Sequence, residues 1–164
     1  MSLPGWVAAL TLGSPSSGQV QPAGVDLRVG EIHQFLDSGF VGVRERKLAE
    51  SEPLEPRGGR WLLEPGVYKV VFGDVVHVPS TAVGLCFPRS SLLRSGVYLG
   101  CAVWDPGYYG RGEALLHVLN PHGFVLEVGA RVAQLVYIHL VSGWSIYRGQ
   151  YLGERVSASR SGKS

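Results

Sequence analysis

Glycine and proline divide this chain into short apolar segments, and this feature restricts its fold more than any other. The 164 residues include 23 glycines and 10 prolines. Between these breaks lie runs rich in valine, leucine and tyrosine, at residues 66–79, 96–104, 114–120, 123–141 and 145–153. Runs of this length and composition favour β-strands over helices. The pattern predicts an all-β domain of mostly antiparallel strands, closed as a jelly roll or β-barrel.

Helices are expected to be few and short. Residues 3–10 fit a helix, residues 41–51 fit either a helix or an exposed strand edge, and residues 52–60 fit a loop. The small polar residues from about 154 onward predict a mobile tail unless something binds it. The length and the 45% content of hydrophobic residues predict one domain over residues 1–164.

Charge and composition exclude several classes of protein. The formal net charge of +2 is too small to indicate a nucleic-acid partner. No apolar run approaches the roughly 18 residues of a membrane span, and no signal peptide is recognised, so we expect a soluble cytoplasmic protein. Cys86 and Cys101 lie in apolar segments and are expected to be buried thiols. The absence of a C-x-x-C pair excludes the signature of zinc-dependent nucleobase deaminases.

The segment "RSSLLRSG" at residues 89–96 offers donors suited to an anion. Arg89 and Arg94 provide planar guanidinium groups, and Ser90 and Ser91 provide small rotating hydroxyls, which suit phosphate oxygens. A simple helix start is the alternative, in which Ser90 or Ser91 caps the free N–H groups.

The segment "AVWDPGYYG" at residues 102–110 places a carboxylate beside an aromatic ring. Asp105 ends an apolar run, Pro106-Gly107 turns the chain, and Tyr108 follows. The acid can accept a proton while the ring packs on a flat or cyclic ligand. Alternatively, Asp105 only caps a hairpin turn. Gln134, in another apolar run, needs a partner, which is either a structural hydrogen bond or a ligand.

Five blocks of this chain, taken in order, resemble those of the dCTP deaminase and dUTPase superfamily, with the archaeal dUTPase branch of the dCTP deaminase family as the nearest match. The blocks are "QPAGVDLRVG" (21–30), "PRSSLLRSG" (88–96), "AVWDPGYYG" (102–110), "GARVAQLVY" (129–137) and "YRGQYLGERVSASR" (147–160). The resemblance implies a distorted jelly roll of dUTPase type, assembled as a homotrimer with active sites between subunits.

The resemblance also implies roles for individual residues. Asp105 would activate the attacking water, and Tyr108 would pack on the deoxyribose and exclude a 2′-hydroxyl. Asp26 would support the site. The implied substrate contacts are Arg89, Ser90, Ser91, Arg94 and Gln134 for the phosphates, the backbone of Leu99, Gly100, Cys101, Ala102 and Val103 for the base, and Tyr147, Gln150, Tyr151 and Glu154 in a tail that closes over the nucleotide.

One departure from the family pattern selects the reaction. Deaminases of the family carry a glutamate ten residues beyond the aspartate, which here is Leu115, or His117 if two inserted residues are allowed. Neither is a carboxylate, and Glu113 lies nearer the turn. We therefore expect hydrolysis of dUTP to dUMP and pyrophosphate, with Mg²⁺ held mainly by substrate phosphates and with no nucleic acid or membrane partner. The alternatives are a dCTP deaminase, monofunctional or bifunctional, in which His117 or Glu113 replaces the missing glutamate, and a non-catalytic nucleotide-binding regulator.

Overall fold

The computed structural model describes residues 1–141 and 145–156, and within these ranges the chain is built mainly from β-strands. The helices are α1 (Gly5–Ala9) and α2 (Ser90–Arg94), with a 3-10 turn at Ser17–Gln19. The strands are β1 (Val20–Gln21), β2 (Gly24–Phe35), β3 (Phe40–Val41), β4 (Arg46–Lys47), β5 (Ser51–Pro53), β6 (Arg60–Leu63), β7 (Gly66–Phe72), β8 (Val76–His77), β9 (Ala82–Pro88), β10 (Val97–Gly100), β11 (Tyr109–Gly110), β12 (Glu113–Val118), β13 (Phe124–Glu127) and β14 (Arg131–His139). None of the helices in these ranges has the length and apolar character that crossing a bilayer requires.

The main sheet curls until its two ends approach each other. Its strands follow the order β10-β12-β7-β2-β14-β9, and neighbouring strands are antiparallel. Beyond β10, Trp104 and Gly84 of β9 exchange two backbone hydrogen bonds of 2.9 and 3.0 Å. This exchange brings the edge strands together and nearly closes a barrel, which removes most of the exposed edge. The all-β prediction is confirmed.

The core lies inside this barrel and follows the two-residue period of the strands. In β12, Ala114, Leu116 and Val118 are buried, whereas the intervening side chains point to the other face. Tyr137 of β14 is fully buried, and its hydroxyl donates to Thr11 Oγ1 at 2.9 Å. Thr11 in turn donates to the carbonyl of Ala8 at 2.7 Å, which ties α1 to the core.

Some predicted strands are interrupted or absent because their backbone groups bond elsewhere. The predicted strand at 96–104 ends at Gly100, and the run at 123–141 is split into β13 and β14 by a turn at Gly129, where φ is +78°. The strand prediction for 145–153 is wrong, because this segment bonds to the turn after Trp104 instead of joining a sheet.

Three further segments were predicted as a helix, as a helix or strand edge, and as a loop. Helix 3–10 is confirmed as α1, whereas 41–51 forms the small β3–β4 hairpin and not a helix. The predicted loop at 52–60 begins with the end of β5 and closes with a turn in which Arg57 and Arg60 exchange backbone hydrogen bonds.

Candidate active site

A tight turn presents the carboxylate of Asp105 to solvent. The Tyr108 N–H donates to the Asp105 carbonyl at 3.1 Å, and Gly107 occupies φ +80°, a conformation that glycine adopts without strain. The main chain of Asp105, and not its side chain, therefore closes the turn. The side chain is exposed and makes no hydrogen bond or ion pair with another residue that the structure describes. Its oxygens are left available to a ligand.

A cavity of about 280 Å³ opens beside this carboxylate. Seven residues predicted from sequence line it: Ala102, Val103, Asp105, Tyr108, Tyr147, Tyr151 and Glu154. Two of the three tyrosines, Tyr147 and Tyr151, come from residues 145–156, here called the C-terminal segment, which follows the last strand, β14. The cavity therefore joins the predicted catalytic acid to a largely aromatic wall that suits a flat or cyclic ligand.

Tyr108 forms the centre of that wall. The centroid of its ring lies 5.2 Å from that of Trp104 and 5.9 Å from that of Tyr147, and both pairs are edge-to-face. Its hydroxyl donates to Glu154 Oε1 at 2.6 Å. Burial, followed by the bond to Glu154, raises the pKa of Tyr108 well above its usual range, so this hydroxyl stays protonated. The ring is held by packing and by one strong hydrogen bond.

The C-terminal segment covers the cavity of its own chain. Tyr147 N–H donates to the Pro106 carbonyl at 2.8 Å, and Gly153 N–H donates to the Tyr109 carbonyl at 2.6 Å. Gln150, which was also predicted to contact substrate, does not line the cavity and instead accepts a hydrogen bond from Arg46. Residues 157–164, in the predicted mobile tail, lie outside the described residues.

Two further carboxylates reach the cavity. Glu113 forms ion pairs with Lys69 at 3.5 Å and with Arg155 at 2.5 Å. Burial and the nearby charge of Glu113 raise the pKa of Glu154, against the opposing effect of its bond to Tyr108. Unlike Asp105, both Glu113 and Glu154 are therefore engaged with protein groups.

The predicted phosphate-binding residues lie around the start of α2. Arg89 occupies the N-cap position, but no side chain caps this helix, so the alternative of a serine cap is wrong. Ser90, Ser91 and Arg94 are exposed. The structure therefore leaves two hydroxyls and one guanidinium group of the predicted phosphate-binding set accessible to solvent.

Asp26 orients Arg89. Its side chain is only 1% exposed, and it pairs with Arg89 Nε at 3.1 Å and Arg131 Nη1 at 3.2 Å. Burial raises the pKa of Asp26, while the two arginines oppose this effect. Gln134 lies opposite Asp26 in the β14–β2 ladder and makes no side-chain hydrogen bond to another described residue. None of the predicted phosphate-binding residues lines the Asp105 cavity of the same chain.

The segment predicted to read the base borders a second, smaller cavity of about 210 Å³. Leu99, Cys101, Ala102 and Val103 line it, whereas Gly100 does not. Ala102 and Val103 also line the Asp105 cavity and so separate the two spaces. The two cysteines are free and half-buried, and the hydrogen bond of Cys86 to Cys101, followed by burial, raises the pKa of the Cys86 thiol.

Comparison with known proteins assigns the family. A family model described as dCTP deaminase-like matches residues 8–140. The chain belongs to the dCTP deaminase-like family. A protein of Aeropyrum pernix named probable deoxyuridine 5′-triphosphate nucleotidohydrolase is 54% identical over 141 residues, which cover 85% of this chain and 88% of the relative. The predicted family is therefore confirmed.

Other members of the dCTP deaminase-like family agree. A Methanosarcina mazei protein with the same name is 42% identical over 125 residues, covering 74% of this chain and 73% of the relative. The crystal structure of 2′-deoxycytidine 5′-triphosphate deaminase from Agrobacterium tumefaciens superposes with a TM-score of 0.62 at 22% identity. That match covers 83% of this chain and 48% of the deaminase, so this chain spans about half of that protein, and the likeness concerns the fold alone.

Four cavity residues of this dCTP deaminase-like protein were not among the predicted site residues: Leu48, Trp104, Gly112 and Glu113, of which Glu113 was considered only for the alternative deamination. Trp104 could have been found, since it directly precedes Asp105. A Cβ at Gly112 would lie 2.6 Å from Trp104 Cη2, so the indole requires glycine there. Leu48 carries no local signal because it reaches the cavity from the loop after β4.

The strand after the turn clarifies the departure from the deaminase pattern. Alternation along β12 places Glu113, Leu115 and His117 on one face. Of these three, Glu113 lines the Asp105 cavity, whereas Leu115 and His117, the two positions obtained by counting from the aspartate, do not. Glu113 is therefore the carboxylate of β12 that reaches the cavity containing Asp105.

Proposed function

We propose that this protein hydrolyses dUTP to dUMP and pyrophosphate in the cavity beside Asp105. The observation that carries the proposal is an exposed carboxylate, free of described partners, at the edge of an aromatic-lined cavity of about 280 Å³. The names of the Aeropyrum and Methanosarcina relatives support the same substrate.

Asp105 would act on the attacking water. The water oxygen forms a bond to the α-phosphorus, the bond from that phosphorus to the bridging oxygen of pyrophosphate breaks, and Asp105 takes the proton. A positioned carboxylate base contributes on the order of 10²–10⁴-fold to such a step. Its availability supports this role, since neighbouring Glu113 and Glu154 are bonded to protein groups.

The walls of the cavity would select the nucleoside. Tyr108 would pack on the deoxyribose, and a ring held by Trp104 and Tyr147 leaves little freedom to accommodate a 2′-hydroxyl. The backbone from Leu99 to Val103 would read the uracil edge. Tyr147 and Tyr151 would cover the bound nucleotide from the C-terminal segment.

The phosphate-binding residues would come from another copy of the chain. Arg89, Ser90, Ser91, Arg94 and Gln134 do not line the cavity that contains Asp105 of the same chain. We propose a homotrimer in which Arg89, Ser90, Ser91 and Arg94, here called the arginine-serine cluster, face the Asp105 cavity of the neighbouring subunit. Such an arrangement would bring guanidinium groups to a triphosphate that Asp105, Glu113 and Glu154 repel.

Subunit mixing tests the shared site. Asp105→Asn chains, expected to have almost no turnover, and Arg94→Ala chains, expected to bind dUTP about tenfold more weakly, are refolded together in equal amounts and assayed at dUTP well below KM. If the two residues meet across an interface, random trimers regain roughly a quarter of the parental sites, because each site then draws its two residues from different chains. If both residues act within one chain, mixing restores nothing, and the shared site is refuted while hydrolysis of dUTP stands.

Mg²⁺ fits this site as an ion carried by the nucleotide. Within residues 1–141 and 145–156, no three His, Cys, Asp or Glu side chains cluster as a metal site. An ion held mainly by phosphate oxygens and water needs no such cluster, and the carboxylate oxygens of Asp105 are hard ligands of the kind Mg²⁺ prefers. When bound, Mg²⁺ would offset part of the triphosphate charge, and Arg89 and Arg94 would offset a further part.

The decisive assay incubates the purified protein with dUTP, dCTP or dTTP and Mg²⁺, then separates the products. We expect dUMP and pyrophosphate from dUTP. Binding of nucleotide without any product would refute hydrolysis and favour a regulatory protein.

Deamination of dCTP is the second candidate, because Glu113 lines the cavity with Asp105. Its ion pairs with Lys69 and Arg155 oppose a role in proton transfer, since they already engage this carboxylate with protein groups. Ammonia release from dCTP that is abolished in Glu113→Gln would favour a deaminase or a bifunctional enzyme.

A further inference from the structure

The hydrogen bond between Tyr108 and Glu154 links the cavity wall to the C-terminal segment. Tyr108 is 8% exposed, and its hydroxyl lies 2.6 Å from Glu154 Oε1. The rings of Trp104 and Tyr147 pack edge-to-face with the Tyr108 ring and restrict its rotation. The carboxylate is the polar group that holds the far end of the ring.

The backbone around Glu154 is attached to the body of the protein at the same place. The Gly153 N–H donates to the Tyr109 carbonyl at 2.6 Å, and the Arg111 N–H donates to the Glu154 carbonyl at 3.0 Å. Between these bonds, Gly110 and Glu154 form a parallel β-bridge. Glu154 therefore enters the cavity only when this short stretch of chain is docked.

Gly110 provides the space for this contact. A Cβ at this position would lie 2.9 Å from Tyr108 Oη and 3.1 Å from both Cγ and the carbonyl oxygen of Glu154. A side chain here would clash with the Tyr108 hydroxyl and press tightly on Glu154, so both partners of the hydrogen bond would have to shift. The close approach of these two chain segments is thus a built feature of the site.

The charge of Glu154 makes direct substrate contact unfavourable. A carboxylate repels the triphosphate, and in this structure it already accepts a hydrogen bond from a phenol. The hydrogen bond from Tyr108 therefore competes with the substrate contact that was predicted for Glu154.

We propose that Glu154 is a positioning residue, which fixes the Tyr108 ring and so couples docking of residues 153–155 to exclusion of the 2′-hydroxyl. The inference rests on the proposed function, because it is the packing of Tyr108 on deoxyribose that gives the ring its role. When the segment docks, the hydroxyl is held and the ring stays against the sugar. When it undocks, the ring is held only by Trp104 and Tyr147.

The kinetic test compares dUTP with UTP in a double-mutant cycle. The variants are Tyr108→Phe, Glu154→Ala, the double variant, and Glu154→Gln, which keeps the shape of the side chain but carries no charge. We expect Tyr108→Phe and Glu154→Ala each to lower the dUTP/UTP ratio of kcat/KM about tenfold. Glu154→Gln should lower this ratio by a smaller factor. The double variant should fall no further, since both changes remove the same hydrogen bond. Glu127→Gln, which removes an exposed carboxylate paired with Arg60, is the matched control and should keep the parental ratio.

Hydrogen–deuterium exchange provides a readout that does not depend on activity. Peptides covering 147–156 should exchange faster in Tyr108→Phe and Glu154→Ala and at the parental rate in Glu127→Gln. An unchanged exchange rate, an unchanged dUTP/UTP ratio in Tyr108→Phe, or additive losses in the double variant would each overturn the inference. If the parent protein hydrolyses dUTP while these outcomes occur, the positioning role alone fails. If the parent hydrolyses no dUTP, the proposed function fails and the inference fails with it.

Discussion

Replacing Asp105 with asparagine should lower turnover by orders of magnitude while leaving the fold and nucleotide binding nearly unchanged. The substitution preserves shape and removes only the charge and the basic oxygen. Because the side chain is exposed and has no described partner, the free energy of unfolding should change by less than about 0.5 kcal/mol. Loss of a general base lowers kcat by about 10²–10⁴-fold, which is about 3–5 kcal/mol in the activation barrier.

Nucleotide binding should not weaken in Asp105→Asn. Asp105 carries a negative charge beside the site for a triphosphate, so removing it reduces repulsion. We therefore expect KM for dUTP to stay the same or fall while kcat collapses. This split separates a residue that acts in the transition state from one that binds the ground state.

The assay measures pyrophosphate release with Mg²⁺ at several dUTP concentrations, together with thermal melting of the same samples. Glu127→Gln controls for loss of an exposed carboxylate elsewhere. A kcat within threefold of the parent would remove Asp105 from the chemistry. A raised KM at unchanged kcat would mean that it binds substrate instead of activating water.

Three further predictions concern phosphate binding, stability and pH. Arg94→Ala, on the exposed face of α2, should raise KM for dUTP about tenfold without lowering the melting temperature, and an unchanged KM in initial-rate assays would contradict its role. Tyr137→Phe, which removes the 2.9 Å hydrogen bond to Thr11, should destabilise the protein by about 1 kcal/mol and lower the melting temperature by about 2–4 °C; an unchanged melting curve would show that this bond contributes nothing. Burial tends to raise the pKa of Glu31, but its hydrogen bond to His33 and nearby arginines lower it overall. The folded protein therefore binds this proton less readily than the unfolded chain, so stability is lost as pH falls from about 5 through the lowered pKa. Melting curves of Glu31→Gln should show a weaker acid dependence, and a slope equal to that of the parent would refute the assignment.

Local patterns predicted the strands and the central turn correctly because their causes are local. Alternation of apolar residues determines which face of a strand is buried, as Ala114, Leu116 and Val118 show in β12. The Asp-Pro-Gly-Tyr turn depends on φ angles within four residues, so the exposure of Asp105 and the nearness of Tyr108 follow from a short stretch of sequence. The same reasoning failed for 145–153, whose apolar residues look like a strand but bond to the turn after Trp104.

The amino-acid sequence by itself determined the all-β class, the family blocks and the pairing of an acid with an aromatic ring, because each of these depends on neighbours along the chain. Only the tertiary structure decided that Glu154 holds Tyr108, that buried Asp26 orients Arg89, and that Glu113 enters the cavity whereas His117 does not. It also separated the arginine-serine cluster from the Asp105 cavity of the same chain. These contacts join residues far apart in sequence, and their distances depend on how the sheet curls and where the chain returns, which no local pattern encodes.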